Sequence, residues 1–146
     1  MGYVSASISG VWWWSWLVLV WLPGPAGAQP AEAVPARLGD DGVQRLEVTL
    51  ESYAYTPRHI IVQAGLPVEL TLYNDSFLTP HNFILLAPEA GFDIDQNVRA
   101  GQRLTVRFTP TTPGTYTFYC DKKLLFFPSH REEGMEGTLD VRAQSP

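Results

Sequence analysis

Beyond residue 42, apolar and polar residues alternate with a period of two along most of the chain. Leu46, Val48 and Leu50 alternate with polar neighbours, as do Val68, Leu70 and Leu72. Ile60 with Val62, Phe83 with Leu85, and Leu104 with Val106 and Phe108 keep the same period. So do Tyr116, Phe118 and Cys120, and finally Leu139 and Val141. Residues two apart share one face of a strand, so each run offers a single apolar face. Turn signals separate the runs: Tyr55-Thr56-Pro57, Ala64-Gly65, Asn74-Asp75, Ala100-Gly101 and Thr112-Pro113-Gly114. About 7–8 short strands at this spacing predict an all-β fold, a Greek-key antiparallel β-sandwich. Residues 87–99, APEAGFDIDQNVR, read as a loop with at most one helical turn. No long segment has helical periodicity, and no internal repeat is present.

The first 28 residues are of another kind. They carry no charged side chain, and the apolar run at 11–22 has the length of a signal-peptide core, about 7–15 residues. Pro23, Gly24 and Pro25 break it, and Ala26-Gly27-Ala28 has the small-x-small form of a cleavage site. Residues 1–28 therefore read as a signal peptide. The lack of Lys or Arg before the run leaves an uncleaved anchor as the alternative, although about 20 apolar residues are needed to span a bilayer. Residues 29–42, QPAEAVPARLGDDG, have no period and predict a flexible linker. Residues 43–146 form the domain. This organisation places the protein in the periplasm or another exported location, with membrane contact only through an uncleaved N-terminal segment.

Charge narrows the classes of function. Fifteen acidic and ten basic residues give a net charge of −5, and the basic residues are scattered. Nucleic-acid binding wants a clustered basic face, so none is expected. The single cysteine cannot form an intramolecular disulfide. A free thiol is a liability in an oxidising compartment, so its retention points to a use.

Three side chains give that thiol company. His81 opens a predicted strand, Cys120 ends one, and His130 and Met135 lie in the segment before the last strand. Thiolate and thioether are soft ligands that suit copper, and imidazole suits it too. Gly134 and Gly137 flank Met135 and are expected to allow tight turning. Each residue alone has an ordinary reading: a buried hydrophobe for Cys120, a solvated side chain for His130, core filler for Met135, a turn cap for His81. Their order on an alternating β pattern favours the joint reading. His59, in PRHIIV, has no partner pattern and reads as a surface or half-buried residue. No serine–histidine–acid pattern is present, and a hydrolytic zinc site wants three ligands and an open position. An enzyme is not expected.

Three motifs carry a family resemblance: N-D-x₅-H-N-F over residues 74–83, G-x-Y-x-F-x-C over 114–120, and H-x₄-M-x-G over 130–137. In these the chain resembles the cupredoxins, the small blue copper proteins, across residues 44–142. The resemblance implies His81, Cys120 and His130 as equatorial ligands and Met135 as the axial ligand of one copper ion cycling between Cu(I) and Cu(II). It implies that Asn82 steadies the ligand loops and supports the thiolate by hydrogen bonding. Nine residues lie between Cys120 and His130, more than in simple members of the family. The implied function is single-electron transfer between redox partners, such as a c-type cytochrome and a membrane oxidase or reductase. Leu124, Leu125, Phe126, Phe127 and Pro128 are then expected to dock the partner around the copper edge, with Lys122 and Lys123 steering it. Two alternatives belong to other classes. One is a copper chaperone or store, which tends to expose several methionines, whereas only Met135 follows the leader. The other is a nitrosocyanin-like red-copper site with an open position for a small molecule.

Overall fold

A computed structural model describes residues 1–2 and 32–144; the reading of residues 3–28 as a leader lies outside the described residues. Eleven strands are present among the described residues. In chain order they are β1 (Val34–Pro35), β2 (Arg37–Leu38), β3 (Gln44–Glu51), β4 (Ala54–Thr56), β5 (His59–Gln63) and β6 (Val68–Asn74). Then follow β7 (His81–Ala87), β8 (Phe92–Val98), β9 (Arg103–Phe108), β10 (Gly114–Tyr119) and β11 (Glu136–Arg142). One 3₁₀ turn, Pro88–Ala90, is the sole helical element among the described residues.

Two sheets face each other. One runs β1-β5-β11-β10-β7-β8; the other runs β2-β3-β6-β9, with β4 paired to β3. The alternation is visible in β6, where Val68, Leu70 and Leu72 are buried between half-buried polar residues. These pack with Val48, Leu50, Ile60, Phe83, Leu85 and Leu139 into one core between the sheets. The expected two-sheet all-β architecture is present, with a mixture of strand directions. β3 pairs parallel with β6, and β5 pairs parallel with β1 and with β11.

Two segments differ from expectation. Residues 34–38, placed in a flexible linker, form β1 and β2. Pro35 lies in an edge strand, where a missing N–H is tolerated. β1 pairs with β5 in one sheet and β2 with β3 in the other, so this stretch straps the two sheets together. Residues 92–98, placed in a loop, form β8, which pairs with all seven residues of β7. Phe92 and Val98 are buried, and the alternation is muted because Asp93, Asp95 and Asn97 face solvent along an edge strand.

Below the end of the sandwich that carries β7 and β10 lies an aromatic cluster. Phe83 stacks on Phe118 at 4.9 Å between ring centroids, and Tyr55 packs edge-on to both. The Tyr55 hydroxyl donates to the carbonyl of Asn82 at 2.6 Å. Burial pushes its ionisation far above the usual phenol range, with the Cys120 and Asp121 charges adding to it, so it remains a donor. This cluster is the floor on which the site is built.

Candidate metal centre

The strands determine where the donor groups stand. His81 is the first residue of β7, and Cys120 directly follows β10. These strands are neighbours in the six-stranded sheet, with Tyr119 opposite Ile84. His130 and Met135 come from the connection between β10 and β11. That connection is folded back by backbone bonds: His130 N–H to Lys122 carbonyl at 2.8 Å, Met135 N–H to His130 carbonyl at 2.8 Å, and Cys120 N–H to Met135 carbonyl at 3.1 Å. Around His130 the chain makes a capped turn. The Ser129 N–H donates to Glu132 Oε2 at 2.6 Å, and the Glu132 N–H donates back to Ser129 Oγ at 3.3 Å, the reciprocal pairing of a capping box. Gly134 ends this turn at φ +94°, a left-handed conformation that favours glycine.

Gly137 has a different role from the tight turning expected of it. It lies in β11 opposite Phe118. A Cβ there would sit 2.6 Å from the Arg58 carbonyl oxygen and closer still to the Phe118 ring. Its missing side chain makes room for the aromatic floor.

The structure brings three side chains to one point. His81 Nδ1 lies 3.1 Å from His130 Nδ1, and Cys120 Sγ lies 3.8 Å from the first and 3.4 Å from the second. All three residues are buried, and Met135 beside them is fully buried. The centre of that triangle is about 2.0 Å from each corner, close to the 2.0–2.3 Å that a divalent transition ion makes with imidazole nitrogen and thiolate sulfur. Two imidazoles and a thiol, with the buried Met135 tied by its backbone to both Cys120 and His130, form a donor set suited to one copper ion.

Electrostatics prepare the imidazoles and restrain the thiol. Burial, helped by the neighbouring His130, lowers His81 to about 4, so it is neutral and free to ligate near pH 7. Burial and then Lys122 lower His130 as well. Burial raises the Cys120 thiol, while the backbone N–H groups of Asn82 and Lys122 act the other way by stabilising its thiolate. A cation at the triangle's centre would complete that stabilisation and release the proton.

Neighbouring groups fix the donors. His81 Nε2 is 2.9 Å from Ser76 Oγ, which leaves Nδ1 aimed at the centre. The loop carrying Ser76 is shaped by buried Asn74, whose amide donates to the carbonyls of Thr79 and Val98 and accepts from the Ser76 N–H. The Asn82 backbone N–H points at Cys120 Sγ at 3.4 Å. Its side chain donates to Asp121 Oδ1 at 2.8 Å and accepts from the Asp121 N–H at 3.1 Å, tying β7 to the residue after the cysteine.

Leu124, Leu125, Phe126, Phe127 and Pro128 are all exposed, Phe126 at 83%. His59 stands apart, pairing with Asp140 at 2.7 Å on β11. Ser76, Tyr53, Phe77 and Leu78 were not anticipated. Tyr53 packs on His130, and Phe77 and Leu78 are further exposed apolar residues on the loop before His81. The sole sequence signal was the apolar pair in DSFLTPH, four and three residues before a candidate ligand.

Similarity to known proteins agrees with this geometry. The Cupredoxin-like domain family matches residues 11–139. A plastocyanin from Ulva prolifera is 34% identical over 110 residues, covering 71% of this chain and 93% of the relative. Among solved structures, the metal-binding domain of the Cu(I)-exporting P-type ATPase CopA from Streptococcus pneumoniae, with Cu(I), aligns at a TM-score of 0.58 and 26% identity, covering 77% of this chain and 98% of that one. Auracyanin from Roseiflexus castenholzii shares the fold at a TM-score of 0.54 and 23% identity, covering 67% of this chain and 96% of that one. The buried two-histidine, one-cysteine cluster at the end of a two-sheet sandwich and the match along most of the sequence agree: the chain belongs to the cupredoxin-like family.

Proposed function

We propose that this protein is an exported single-electron carrier, in which His81, Cys120, His130 and Met135 would hold one copper ion. The observation that carries the reading is the buried triangle of two Nδ1 atoms and one Sγ, with edges of 3.1 to 3.8 Å, under a collar of exposed apolar residues. Copper held there supplies a one-electron Cu(II)/Cu(I) couple. The chain's own groups do the remaining work. Strand ends hold His81 and Cys120, Ser76 orients one imidazole, and Asn82 braces the thiolate. Burial excludes water, so the donors keep one arrangement in both oxidation states. His130, 7% exposed where His81, Cys120 and Met135 are fully buried, lies beneath the collar and offers an electron its way out. Leu124 to Pro128 form the docking face for a redox protein, because contiguous exposed apolar surface marks interaction sites. Lys122 and Lys123 steer an acidic partner at low salt.

The likeness to a plastocyanin supports this reading. The likeness to a Cu(I)-bearing metal-binding domain supports a second: storage or delivery of Cu(I). Voltammetry combined with a chelator challenge separates them. A carrier gives a reversible one-electron wave and keeps its copper in both states for hours. A delivery protein surrenders Cu(I) within seconds and has no stable Cu(II) form.

A further inference from the structure

Tyr53 is the second residue of the two-residue turn between β3 and β4, flanked by the Glu51–Ala54 pair. Its φ is +59°, a left-handed conformation in which a side chain crowds the backbone and which glycine or asparagine ordinarily occupies. Burial does not hold it there, since Tyr53 is 47% exposed. Its ring instead meets the His130 ring edge-on, with centroids 5.1 Å apart and planes at 78°. Two clefts of about 360 and 210 Å³ reach His130, and Tyr53 and Leu124 line both. Tyr53 thus stands in the partition over that imidazole.

The two histidines are secured differently. His81 has Ser76 Oγ on its second nitrogen. The hydrogen-bond contacts of the His130 ring among the described residues are those of Nδ1, toward the site itself. Aromatic packing takes the place of the second hydrogen bond.

We propose that Tyr53 is a positioning residue, kept against its backbone preference because its ring fixes the plane of His130 and screens it from solvent. This rests on the reading of His130 as a copper ligand. The test compares Tyr53→Gly, which removes the ring and the backbone conflict together, with Tyr53→Phe, which keeps the ring. In the metal-free protein, Tyr53→Gly melts no lower than the wild type, while its His130 ring resonances broaden or average. In the copper-loaded protein, transfer of Cu(I) to bathocuproine disulfonate is about 10-fold faster in Tyr53→Gly and unchanged in Tyr53→Phe, the range expected when the support of a ligand is lost. A Tyr53→Gly protein with wild-type His130 resonances and wild-type release overturns the proposal. So does a Tyr53→Phe protein that behaves like the glycine variant, or a Tyr53→Gly protein that is less stable. If wild-type protein forms no sulfur-to-copper band, the copper reading fails by itself, and the resonances of the metal-free protein still decide the role of Tyr53.

Discussion

The residues that meet at the candidate metal centre are held by two unlike parts of the molecule. His81 and Cys120 stand at the ends of adjacent strands, over the packed rings of Tyr55, Phe83 and Phe118. Asn82 ties their strands together through Asp121, and Ser76 fixes the His81 ring. His130 hangs instead from a connection whose middle residues face solvent. That connection is secured at its ends: Arg58 donates to the carbonyls of Gly134 and Glu136, and Arg131 lies over the Tyr119 ring at 4.0 Å. The contrast assigns geometry to the sheet and access to the loop. It also explains how nine residues between Cys120 and His130 are compatible with a convergent site. Lengthening a loop costs little once its ends are fixed, about 0.6 kcal/mol per doubling.

Substitutions on the sheet side should therefore damage fold and site together. The largest effect is expected from Gly137→Ala, which drives a methyl group into Phe118 and the Arg58 carbonyl. It should cost about 3 kcal/mol in chemical denaturation. A loss below 1 kcal/mol would show that the aromatic floor yields easily.

A pH effect of similar size belongs to the metal-free protein. The folded-state value of His81, about 4, lies below the ordinary 6.5, so the unfolded chain binds more protons between these limits. Stability is then fully present above about pH 6.5 and falls by about 3 kcal/mol as pH drops to 4. Urea titrations of the metal-free protein across this window check it; a flat profile would mean that the imidazole is solvated.

Asn82→Ala leaves the backbone bond to the thiol and removes the side-chain link to Asp121. A loss of about 2 kcal/mol is expected, with the copper spectrum shifted but present. An unshifted spectrum at full stability would reduce Asn82 to a bystander.

The smallest effect on stability belongs to the loop side. Phe126→Ser should change stability by less than about 0.5 kcal/mol and leave the visible spectrum intact, while slowing electron transfer to a protein partner. If the bimolecular rate, measured by stopped flow, does not change, the collar is not the docking face.

Much of this was legible from alternation and order. The buried faces of β3, β6 and β9 follow the period-two pattern directly, and the positions of His81, Cys120, His130 and Met135 stood out by residue type. What was not legible depended on pairing across the chain. β8 is marked by Phe92, Ile94 and Val98, yet its outward Asp93, Asp95 and Asn97 read as a loop, because an edge strand needs no apolar outer face. β1 and β2 are two residues each, too short to show a period, and owe their form to β5 and β3. Ser76 and Tyr53 are ordinary polar and aromatic residues until the fold sets them against the two imidazoles. Gly137 looked like a turn residue beside a methionine. Its reason is the Phe118 ring on the next strand.

The proposed role depends most on Cys120 Sγ bonding to copper between His81 and His130. Cu(II) titration of the purified domain, followed by visible absorption and electron paramagnetic resonance with Cys120→Ser in parallel, tests this directly. The prediction is an intense sulfur-to-copper band that saturates at one ion per chain and is absent from the serine variant. A weak spectrum of aqueous type in the wild-type protein, or a band that survives in Cys120→Ser, would contradict it.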